Sequence, residues 1–497
     1  MAFLVDVDTN RGLSDFANVA HLVAAVQALQ MEAQAVVPRL RGRTLWMVNS
    51  TAQGGGVAEM LPTMITLLRD LGIQTEWAVI ESTEPRFFAL TKRIHNLIHG
   101  EGDPGLDADD RRLFEAVNRE NAAFLKSRVQ PGDVLIVHDP QPIPLASILK
   151  EELDVLTVWR CHIGLDDETP ATQAAWEFLR PYVDAYEHTI FSAPDYVPSF
   201  CAGHATVIHP GIDPLSHKNR ELGLHRTVGI LSNSGMAVAP GPLVTGPYKA
   251  QAQRLSPDGQ FRPAGESADF GLLTRPIVTQ ISRWDRLKGF EPLLEAFSQY
   301  KTRLFAGGWS ADPAHRIRQE LVRLVLAGPD PGSVQDDPEA LEVLADIQGR
   351  YAALDPQVQE TIAVFALPME SITENALMVN ALQRASSIVV QNSLREGFGL
   401  TIAEAMWKRV PILSNDQACG PRQQVRDTVD GRMIDDPTDP AALTATLDKM
   451  LTDVPNRAVW ARNAQRHVHD KFLVFAQLCE WMRLFGRRSG AHAVVPG

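Results

Sequence analysis

The sequence predicts an α/β protein whose strands form parallel sheets. Short apolar runs rich in β-branched residues alternate with stretches of helical, amphipathic spacing, a pattern typical of such folds. The alternation occurs in two blocks, which are separated by residues 232–271, a segment dense in Gly, Pro, Ser and Gln. We therefore expect two α/β domains, with residues 232–271 forming a mobile surface loop or insertion.

Each block contains several candidate strands and helices. In the first block, the predicted strands cover residues 44–48, 75–80, 133–137, 155–159 and 189–191. Between them, helical spacing occurs in residues 57–71 and 109–128. In the second block, the predicted strands cover residues 277–281, 303–306, 324–327, 362–365, 388–391 and 411–414. A last helical stretch, residues 459–485, keeps an apolar face along its length.

Composition and charge exclude several classes of function. The chain has 497 residues, of which 45% are hydrophobic, and the balance of 47 basic and 60 acidic side chains gives a net charge of −13. Such a charge argues against nonspecific binding to nucleic acid or to an anionic membrane. The N-terminus lacks a basic region and no apolar run approaches the length of a membrane span, so we expect a cytoplasmic protein. The four cysteines are scattered without metal-ligand spacing, and no metal site is predicted.

Residues 393–408 (SLREGFGLTIAEAMWK) are the most informative segment. A buried strand precedes them, and the residues after Gly399 have helical spacing, so the unit is predicted to be strand, loop and helix. Glu396 and Glu404 lie eight positions apart across this turn, where they can accept hydrogen bonds from sugar hydroxyls. Free amides at the start of the helix suit a phosphate. The segment therefore predicts a nucleotide-sugar site, although an acidic helix start without a ligand would also place glutamates here.

Two further loops suit phosphate or sugar groups. Three consecutive glycines at 54–56 lie between a predicted strand and a helix, where backbone amides can meet a phosphate, although a tight turn explains them equally well. In residues 281–289 (ISRWDRLKG), Arg283 and Lys288 can reach two phosphates from one loop. The alternative for this loop is a pair of solvated bases beside Asp285.

Polar residues follow two neighbouring strands of the first block. His138 and Asp139 come after the strand at 133–137, and His162 follows the strand at 155–159. Ligands of open parallel sheets bind at the carboxyl ends of the strands. A single histidine is more often a structural hydrogen-bond donor than a catalyst, but two at matching strand ends indicate a site.

The turn at 393–408 resembles the EX7E signature of retaining glycosyltransferases of family 4. The wider set VNSTAQGGGVAEML, FFALTKRIHNLIHG, VHDPQPIPL, WRCHIG, HPGIDPLSHKN, ISRWDRLKGF and VNALQRASSIVVQNSLREGFGLTIAEAMWK resembles the trehalose glycosyltransferring synthases. The resemblance implies the GT-B fold, in which two Rossmann-like domains face each other across a cleft and the C-terminal helix returns to the first domain. The expected divisions are residues 1–213 with 465–490, a linker and irregular insertion at 214–275, and a nucleotide-sugar-binding domain at 276–464.

The same resemblance implies an activity. Family members transfer glucose from a nucleoside diphosphate glucose to the anomeric hydroxyl of free glucose, with retention of the α configuration, and release nucleoside diphosphate. The donor is a substrate, and neither a metal nor another cofactor is implied. Retention without an enzymic nucleophile suggests front-face attack, in which the departing phosphate oxygen accepts the proton of the acceptor. The partners implied are small-molecule substrates and a second copy of the chain in a homodimer.

Site residues carry over by motif position. Arg283 and Lys288 bind the donor diphosphate, with help from the amides of Leu400 and Thr401. Glu404 holds the ribose and Glu396 the donor glucose. The residues implied to face the sugars or close around them are His162, Asp139, Gly55 and Gly56.

One loop departs from the family pattern. Members usually carry a glycine-rich loop after the strand corresponding to residues 411–414, whereas residues 415–425 here read NDQACGPRQQV and contain a single glycine, Gly420. The resemblance puts Gly420 and Gln423 at the positions that contact the donor. Three alternatives to the synthase stay open: a retaining trehalose phosphorylase, a transferase with another acceptor, and a catalytically silent sensor of sugars or nucleotide sugars.

Overall fold

The computed structural model describes residues 1–7, 11–52, 55–239, 246–330 and 338–488. The chain forms two compact units. The first comprises Met1–Asp213 and Asp470–Gly497, and the second comprises Pro214–His469. Each unit is an α/β domain with one sheet.

The first unit is built on a seven-stranded sheet of order β1-β3-β2-β4-β5-β6-β7. All its strands pair in parallel except β1, which is antiparallel to β3. Its strands are β1 (Phe3–Leu4), β2 (Leu45–Asn49), β3 (Thr75–Val79), β4 (Val134–His138), β5 (Leu156–Cys161), β6 (His188–Phe191) and β7 (Ala205–Val207). Its helices are α1 (Leu13–Ala17), α2 (Val23–Leu40), α3 (Gly56–Asp70), α4 (Pro85–Ile98), α5 (Ala108–Lys126), α6 (Leu145–Lys150), α7 (Pro170–Val183) and α18 (Val474–Arg488).

The second unit has an eight-stranded sheet of order β15-β14-β13-β10-β11-β12-β8-β9. Its strands are β8 (Gln253–Leu255), β9 (Phe261–Pro263), β10 (Ile277–Ile281), β11 (Arg323–Pro329), β12 (Ile362–Leu367), β13 (Ile388–Val390), β14 (Ile412–Asn415) and β15 (Gly431–Ile434). Its helices are α8 (Leu224–Asn233), α9 (Phe290–Phe305), α10 (Pro313–Leu321), α11 (Pro338–Ala352), α12 (Pro356–Gln359), α13 (Ile372–Ala385), α14 (Leu400–Trp407), α15 (Cys419–Gln424), α16 (Pro440–Thr452) and α17 (Val454–Lys471).

The prediction of a strand at 303–306 is wrong. These residues complete helix α9, because Leu304 continues the apolar face that already carries Phe297 and Tyr300, and all three pack into one core cluster. A run of four residues, three of them apolar, is too short to distinguish a strand from the last turn of a helix.

The segment at 214–275 is more regular than a linker and insertion. It contains α8 and the hairpin β8–β9, and β8 pairs antiparallel with β12 at the edge of the second sheet. The strands of this hairpin are only three residues long and carry polar side chains, so no apolar run marks them. Residues 240–245, which belong to the predicted mobile insertion, lie outside the described residues.

The last helical stretch is divided in two. Helix α17 ends at Lys471 and α18 begins at Val474. The break occurs because the backbone between them pairs with residue 212: the amide of Ile212 donates to the carbonyl of Phe472 at 2.8 Å, and the amide of Val474 donates to Ile212 at 3.0 Å. This pairing anchors the start of α18 in the first unit.

Helix α18 packs on α2 within the first unit. The Phe475 ring meets the Phe16 ring edge-on with centroids 5.2 Å apart, and Gln477 accepts a hydrogen bond from the Gly211 amide at 2.9 Å. At the surface, Arg483 pairs with Glu32 at 2.7 Å. The C-terminal helix is thus part of the core of the first unit. No helix in the described part of the chain is long and apolar enough to cross a membrane.

Leu478→Ala tests this assignment. Leu478 is fully buried on α18, so removing its methyl groups should cost about 2–5 kcal/mol. We expect faster amide hydrogen exchange in α2 and in the sheet of the first unit, with exchange in β10, β11 and β12 unchanged. The control is Val459→Ala, at a 40% exposed position of α17. Equal acceleration in both units would contradict the assignment of α18 to the first unit.

Candidate active site

Two loops lie side by side at the carboxyl edge of the second sheet. Strands β10 and β13 pair in parallel, so the loops that follow them leave the sheet at neighbouring points. The side chain of Gln280 joins the loops, because it donates to the Lys288 carbonyl at 2.7 Å and accepts from the Asn392 amide at 3.1 Å. A Cβ on Gly289 would lie 2.1 Å from the Asn392 carbonyl oxygen. Only glycine allows this approach.

A largely buried ion pair joins the two loops. The Lys288 ammonium lies 2.8 Å from a carboxylate oxygen of Glu396, and the two side chains are 14% and 13% exposed. The same oxygen accepts a hydrogen bond from the Ser393 hydroxyl at 3.1 Å. Two predicted site residues that are 108 positions apart in the chain therefore come into direct contact.

Arg283 lies in the same loop as Lys288 but is placed differently. Its side chain is 59% exposed, and its guanidinium is 3.8 Å from the Asp285 carboxylate. Of the two predicted phosphate-binding cations, Lys288 belongs to the buried pair and Arg283 lies at the surface. The alternative of a solvated base beside Asp285 fits Arg283 and not Lys288.

Helix α14 begins at this loop with an open amide end. Gly399 has a φ of 82°, a conformation that favours glycine. Among the described residues, no acceptor lies in hydrogen-bond range of the Leu400 and Thr401 amides. Unpaired first-turn amides and the positive end of the helix dipole attract anions. The expected strand, loop and helix are confirmed, and the amides predicted to assist a phosphate point out of the helix start.

Gly420 supports the turn. A Cβ at this position would lie 2.6 Å from the backbone of Phe398, so helix α15 can approach the turn closely only with glycine there. The neighbouring Gln424 donates from its side-chain amide to the carbonyls of Phe398 and Gly399. Sequence reasoning missed Gln424, because the chain alone does not reveal which turn a glutamine supports.

Glu404 is buried in the second turn of α14. Its side chain is 7% exposed, and its carboxylate lies 3.8 Å from the Lys218 ammonium. One turn further along, the buried Lys408 donates to Gln383 at 2.6 Å, to the Glu404 carbonyl at 3.0 Å and to Asn219 at 3.1 Å. Burial lowers the pKa of Lys408 to about 7, although Glu404 opposes the shift. Lys408 was not predicted, and its i, i+4 spacing from Glu404 is the signal that could have indicated it.

In the first unit, two histidines form a stacked pair at the carboxyl ends of β4 and β5. The His138 Nδ1 lies 3.0 Å from the His162 Nε2, and their rings are 5.3 Å apart and almost parallel. Asp139 has a φ of 62°, and its carboxylate accepts a hydrogen bond from the His162 amide at 2.8 Å. The prediction that these residues meet at neighbouring strand ends is therefore confirmed.

Burial and a nearby cation set the protonation states of His138, His162 and Asp139. Arg160 is fully buried beneath it and donates to the Phe191 carbonyl at 3.0 Å. Burial, and secondarily Arg160, lowers the pKa of His138 to about 3 and lowers that of His162 well below its usual value. Burial raises the pKa of Asp139 to about 6, against the opposing effects of the His162 amide and Arg160. At neutral pH the two histidines are uncharged hydrogen-bonding groups.

The glycine turn of the first unit lies at the start of α3. Gly55 has a φ of 85° and caps the helix, which begins at Gly56. No atom lies within 4 Å of a Cβ built on Gly55, so the left-handed conformation, and not crowding, favours glycine there. Gly54 lies outside the described residues. Within the described ranges, no group of three or more His, Cys, Asp or Glu side chains could hold a metal ion.

Two α/β units, each with a mostly parallel sheet, are typical of glycosyltransferases of the GT-B fold, and the helix start and carboxylates of the second unit fit this class. A family model described as glycosyl transferases group 1 matches residues 373–467, which contain the turn and helix α14. A second model, described as trehalose synthase, N-terminal domain, matches residues 47–198.

Comparison with curated relatives identifies the family within this class of glycosyltransferases. The chain is 34% identical to a trehalose synthase of Pyrococcus horikoshii over 76% of its own length and 74% of the relative. It is 30% identical to a trehalose synthase of Rubrobacter xylanophilus over 97% and 98% of the two chains. The chain belongs to the trehalose synthase family.

More distant proteins share parts of this likeness. A trehalose phosphorylase of Pleurotus sajor-caju is 26% identical over 84% of this chain and 56% of the relative. Among solved structures, an α,α-trehalose 6-phosphate synthase from Burkholderia multivorans superposes with a TM-score of 0.62 at 16% identity, covering 91% of this chain and 98% of that chain. At that identity the likeness shows the fold alone, and it confirms two Rossmann-like domains.

The pH dependence of the stability of His162→Asn tests whether the histidine pair is uncharged. A histidine with a depressed pKa in the folded state takes up fewer protons than in the unfolded chain, so its contribution to stability is lost as the pH falls below the ordinary value of 6.5. The variant removes one such group. We expect the thermal midpoint of wild type minus that of the variant to shrink from pH 7.5 to pH 5. Replacing the exposed His21 by Asn controls for loss of an imidazole, and a difference independent of pH would contradict the neutral pair.

Proposed function

We propose that the protein transfers glucose from a nucleoside diphosphate glucose to the anomeric hydroxyl of free glucose, giving α,α-trehalose and nucleoside diphosphate. The observation that carries this proposal is the Lys288–Glu396 pair beside the open amide end of α14. A cation, a carboxylate and unpaired amides at one strand edge match a sugar attached to a diphosphate.

The donor is assigned to the second unit. Lys288 and the first amides of α14 stabilise the negative charge that develops on the departing diphosphate, which is the main electrostatic demand of the reaction. Arg283, being exposed, adds a second cation when its side chain turns towards the phosphates. Glu396 accepts hydrogen bonds from hydroxyls of the donor glucose, and Glu404 accepts them from the ribose. Gly420 contributes by holding the turn in place.

The sugar-binding role of the first unit is assigned to its histidine pair. A neutral His162 can donate or accept a hydrogen bond without bringing a charge that would compete with the reaction centre. Asp139 fixes the backbone of His162 and so sets the direction of the ring. Gly55 and Gly56 offer backbone amides at the start of α3.

We propose front-face attack for the chemical step. The bond between the anomeric carbon and the donor phosphate oxygen breaks while the acceptor oxygen bonds to the same face of that carbon. The acceptor's proton passes to the departing phosphate oxygen, so charge and atoms balance without an enzymic nucleophile. The protein then positions the substrates and stabilises charge, and the proposed step uses no metal. We also propose that the chain acts as a homodimer in the cytoplasm.

The second candidate is a retaining trehalose phosphorylase. It is favoured by one observation, the match to phosphorylases over 84% to 90% of this chain at 25% to 26% identity. In that reaction inorganic phosphate would occupy the place of the nucleotide diphosphate, at the same lysine and helix start.

Product analysis separates the candidates. The pure protein is incubated with glucose and, in separate reactions, ADP-glucose, UDP-glucose or GDP-glucose, and in a further reaction with trehalose and phosphate. Trehalose with nucleoside diphosphate is the expected result and identifies the donor base. Glucose 1-phosphate from the last reaction alone would replace the synthase by the phosphorylase, and no product in any reaction would contradict both.

Glu404→Gln tests the ribose assignment. The amide keeps the shape but loses the negative charge and half of the accepting capacity of the carboxylate, so the donor KM should rise about 10-fold to 100-fold, corresponding to about 1.5–3 kcal/mol for a lost charged hydrogen bond. The KM of the acceptor should stay the same. Glu295→Gln, on the outer face of α9, is the matched control, and an unchanged donor KM in Glu404→Gln would remove Glu404 from the site.

A further inference from the structure

Three arginines lie around Phe270 at the second sheet, and one of them, Arg323, begins β11 at the edge opposite the candidate active site. Arg323 is the first residue of β11, and its register partner on β10 is Ile277. Arg275 lies in the turn before β10, where its amide donates to the Gly271 carbonyl at 3.0 Å. Arg254 lies on β8 opposite Phe365, and both Ile277 and Phe365 belong to one core cluster.

Phe270 brings the arginines together. The guanidinium carbon of Arg254 lies 4.7 Å from the centre of the Phe270 ring, and that of Arg323 lies 5.9 Å from the same ring. A Cβ on Gly271 would be 2.8 Å from the Arg275 side chain, so this arginine packs against the next residue of the chain. We call Arg254, Arg275 and Arg323 the arginine cluster.

The arginine cluster is poorly neutralised. Within the described residues, no carboxylate lies within 4.0 Å of any of the three guanidinium groups, although the chain carries a net charge of −13. Arg254 donates to the Ala268 carbonyl at 2.9 Å. The Nε of Arg323 is buried without a hydrogen-bond partner, which is a costly state for a charged donor.

A fourth cation, Lys301, adds to the positive charge of the arginine cluster. Lys301 of α9 is fully buried, and its ammonium donates to the Gln319 carbonyl at 2.7 Å. Burial, followed by the charges of Arg323 and Arg275, lowers the pKa of Lys301 to about 7. Burial, followed by Arg275, lowers the pKa of Arg323 to about 10, with Glu360 opposing the shift. The positive charges of Lys301, Arg275 and Arg323 therefore repel one another.

Three exposed acids face the group at longer range. Asp269 acts on Arg254, Glu360 on Arg323 and Glu320 on Lys301. Glu320 is already paired with Arg316 at 2.9 Å, so part of its charge is neutralised by that arginine. The remaining two carboxylates leave an excess of positive charge.

We propose that the arginine cluster is a binding site for a phosphate dianion, carried by a small phosphorylated metabolite or present as free phosphate. Guanidinium groups bind phosphate through paired hydrogen bonds, and an unpaired Nε offers a donor already directed and desolvated. Arg323 begins β11 at the amino-terminal edge of the sheet, whereas the donor diphosphate is assigned to the carboxyl edge. The arginine cluster is therefore a second anion site in the same unit, and it does not depend on the proposed reaction.

Calorimetric titration of the full chain tests the site. Inorganic phosphate and glucose 6-phosphate are titrated separately at pH 7.5, where a phosphate ester is a dianion. Arg323→Met should weaken binding at least tenfold, because it removes the central guanidinium, and Arg275→Gln should weaken it in the same direction. The tighter of the two ligands identifies the source of the phosphate.

Two variants separate this site from others. Lys288→Met removes the cation assigned to the donor diphosphate and should leave this binding unchanged. Arg350→Met, which removes a half-exposed arginine paired with Glu291 at 2.8 Å, should also leave it unchanged. Undiminished binding in Arg275→Gln and Arg323→Met, loss of binding in Lys288→Met, or no binding by wild type would each overturn the proposal. If Arg323→Met fails to fold, the result for Arg275→Gln decides.

Discussion

The parallel pairing of β10 with β13 is the constraint on which the candidate donor site depends. It sets two loops from distant parts of the chain beside each other, and it does so in only one register, because Val278 faces Ile388 and Thr279 faces Val389. The two loops can then approach each other closely, because Gly289 has no side chain. The Lys288–Glu396 contact follows from this backbone geometry. A one-residue slip of β13 would turn its side chains to the opposite face and separate the pair.

Buried charge is handled differently in the two units. In the second unit, carboxylates are matched by ammonium groups, as with Glu396 and Lys288 or Glu404 and Lys218. Such pairs are costly to desolvate and add little net stability, so their presence at a strand edge indicates a requirement other than folding. In the first unit, burial, assisted by the nearby Arg160, instead keeps His138 and His162 uncharged. We therefore propose that the edge in the second unit binds charged groups and the edge in the first unit binds neutral hydroxyl groups.

The sequence predicts best those strands whose residues are all buried. The central strands β2, β4, β10 and β12 are buried along their whole length, and their mostly apolar runs predict them directly. The edge strands β1, β7, β8 and β9 are two or three residues long, so no periodicity identifies them. In the candidate site, the motif residues could be named, but their supporting residues Gln424 and Lys408 could not. These side chains act through contacts with Phe398 and Asn219, which are distant in the sequence.

The choice between a nucleotide donor and inorganic phosphate turns on Glu404. Lys288 and the amide end of α14 would serve a phosphate from either source, because both present the same oxygens. A carboxylate near an incoming phosphate repels it, and burying that carboxylate costs free energy unless a partner offsets the cost. Glu404 is nearly buried; its carboxylate lies 3.8 Å from the Lys218 ammonium, and it also acts on the buried Lys408. Ribose hydroxyls can donate hydrogen bonds to a carboxylate, whereas a phosphate dianion would add negative charge beside it. This repulsion is the reason why we propose a nucleotide sugar, and not inorganic phosphate, as the ligand beside helix α14.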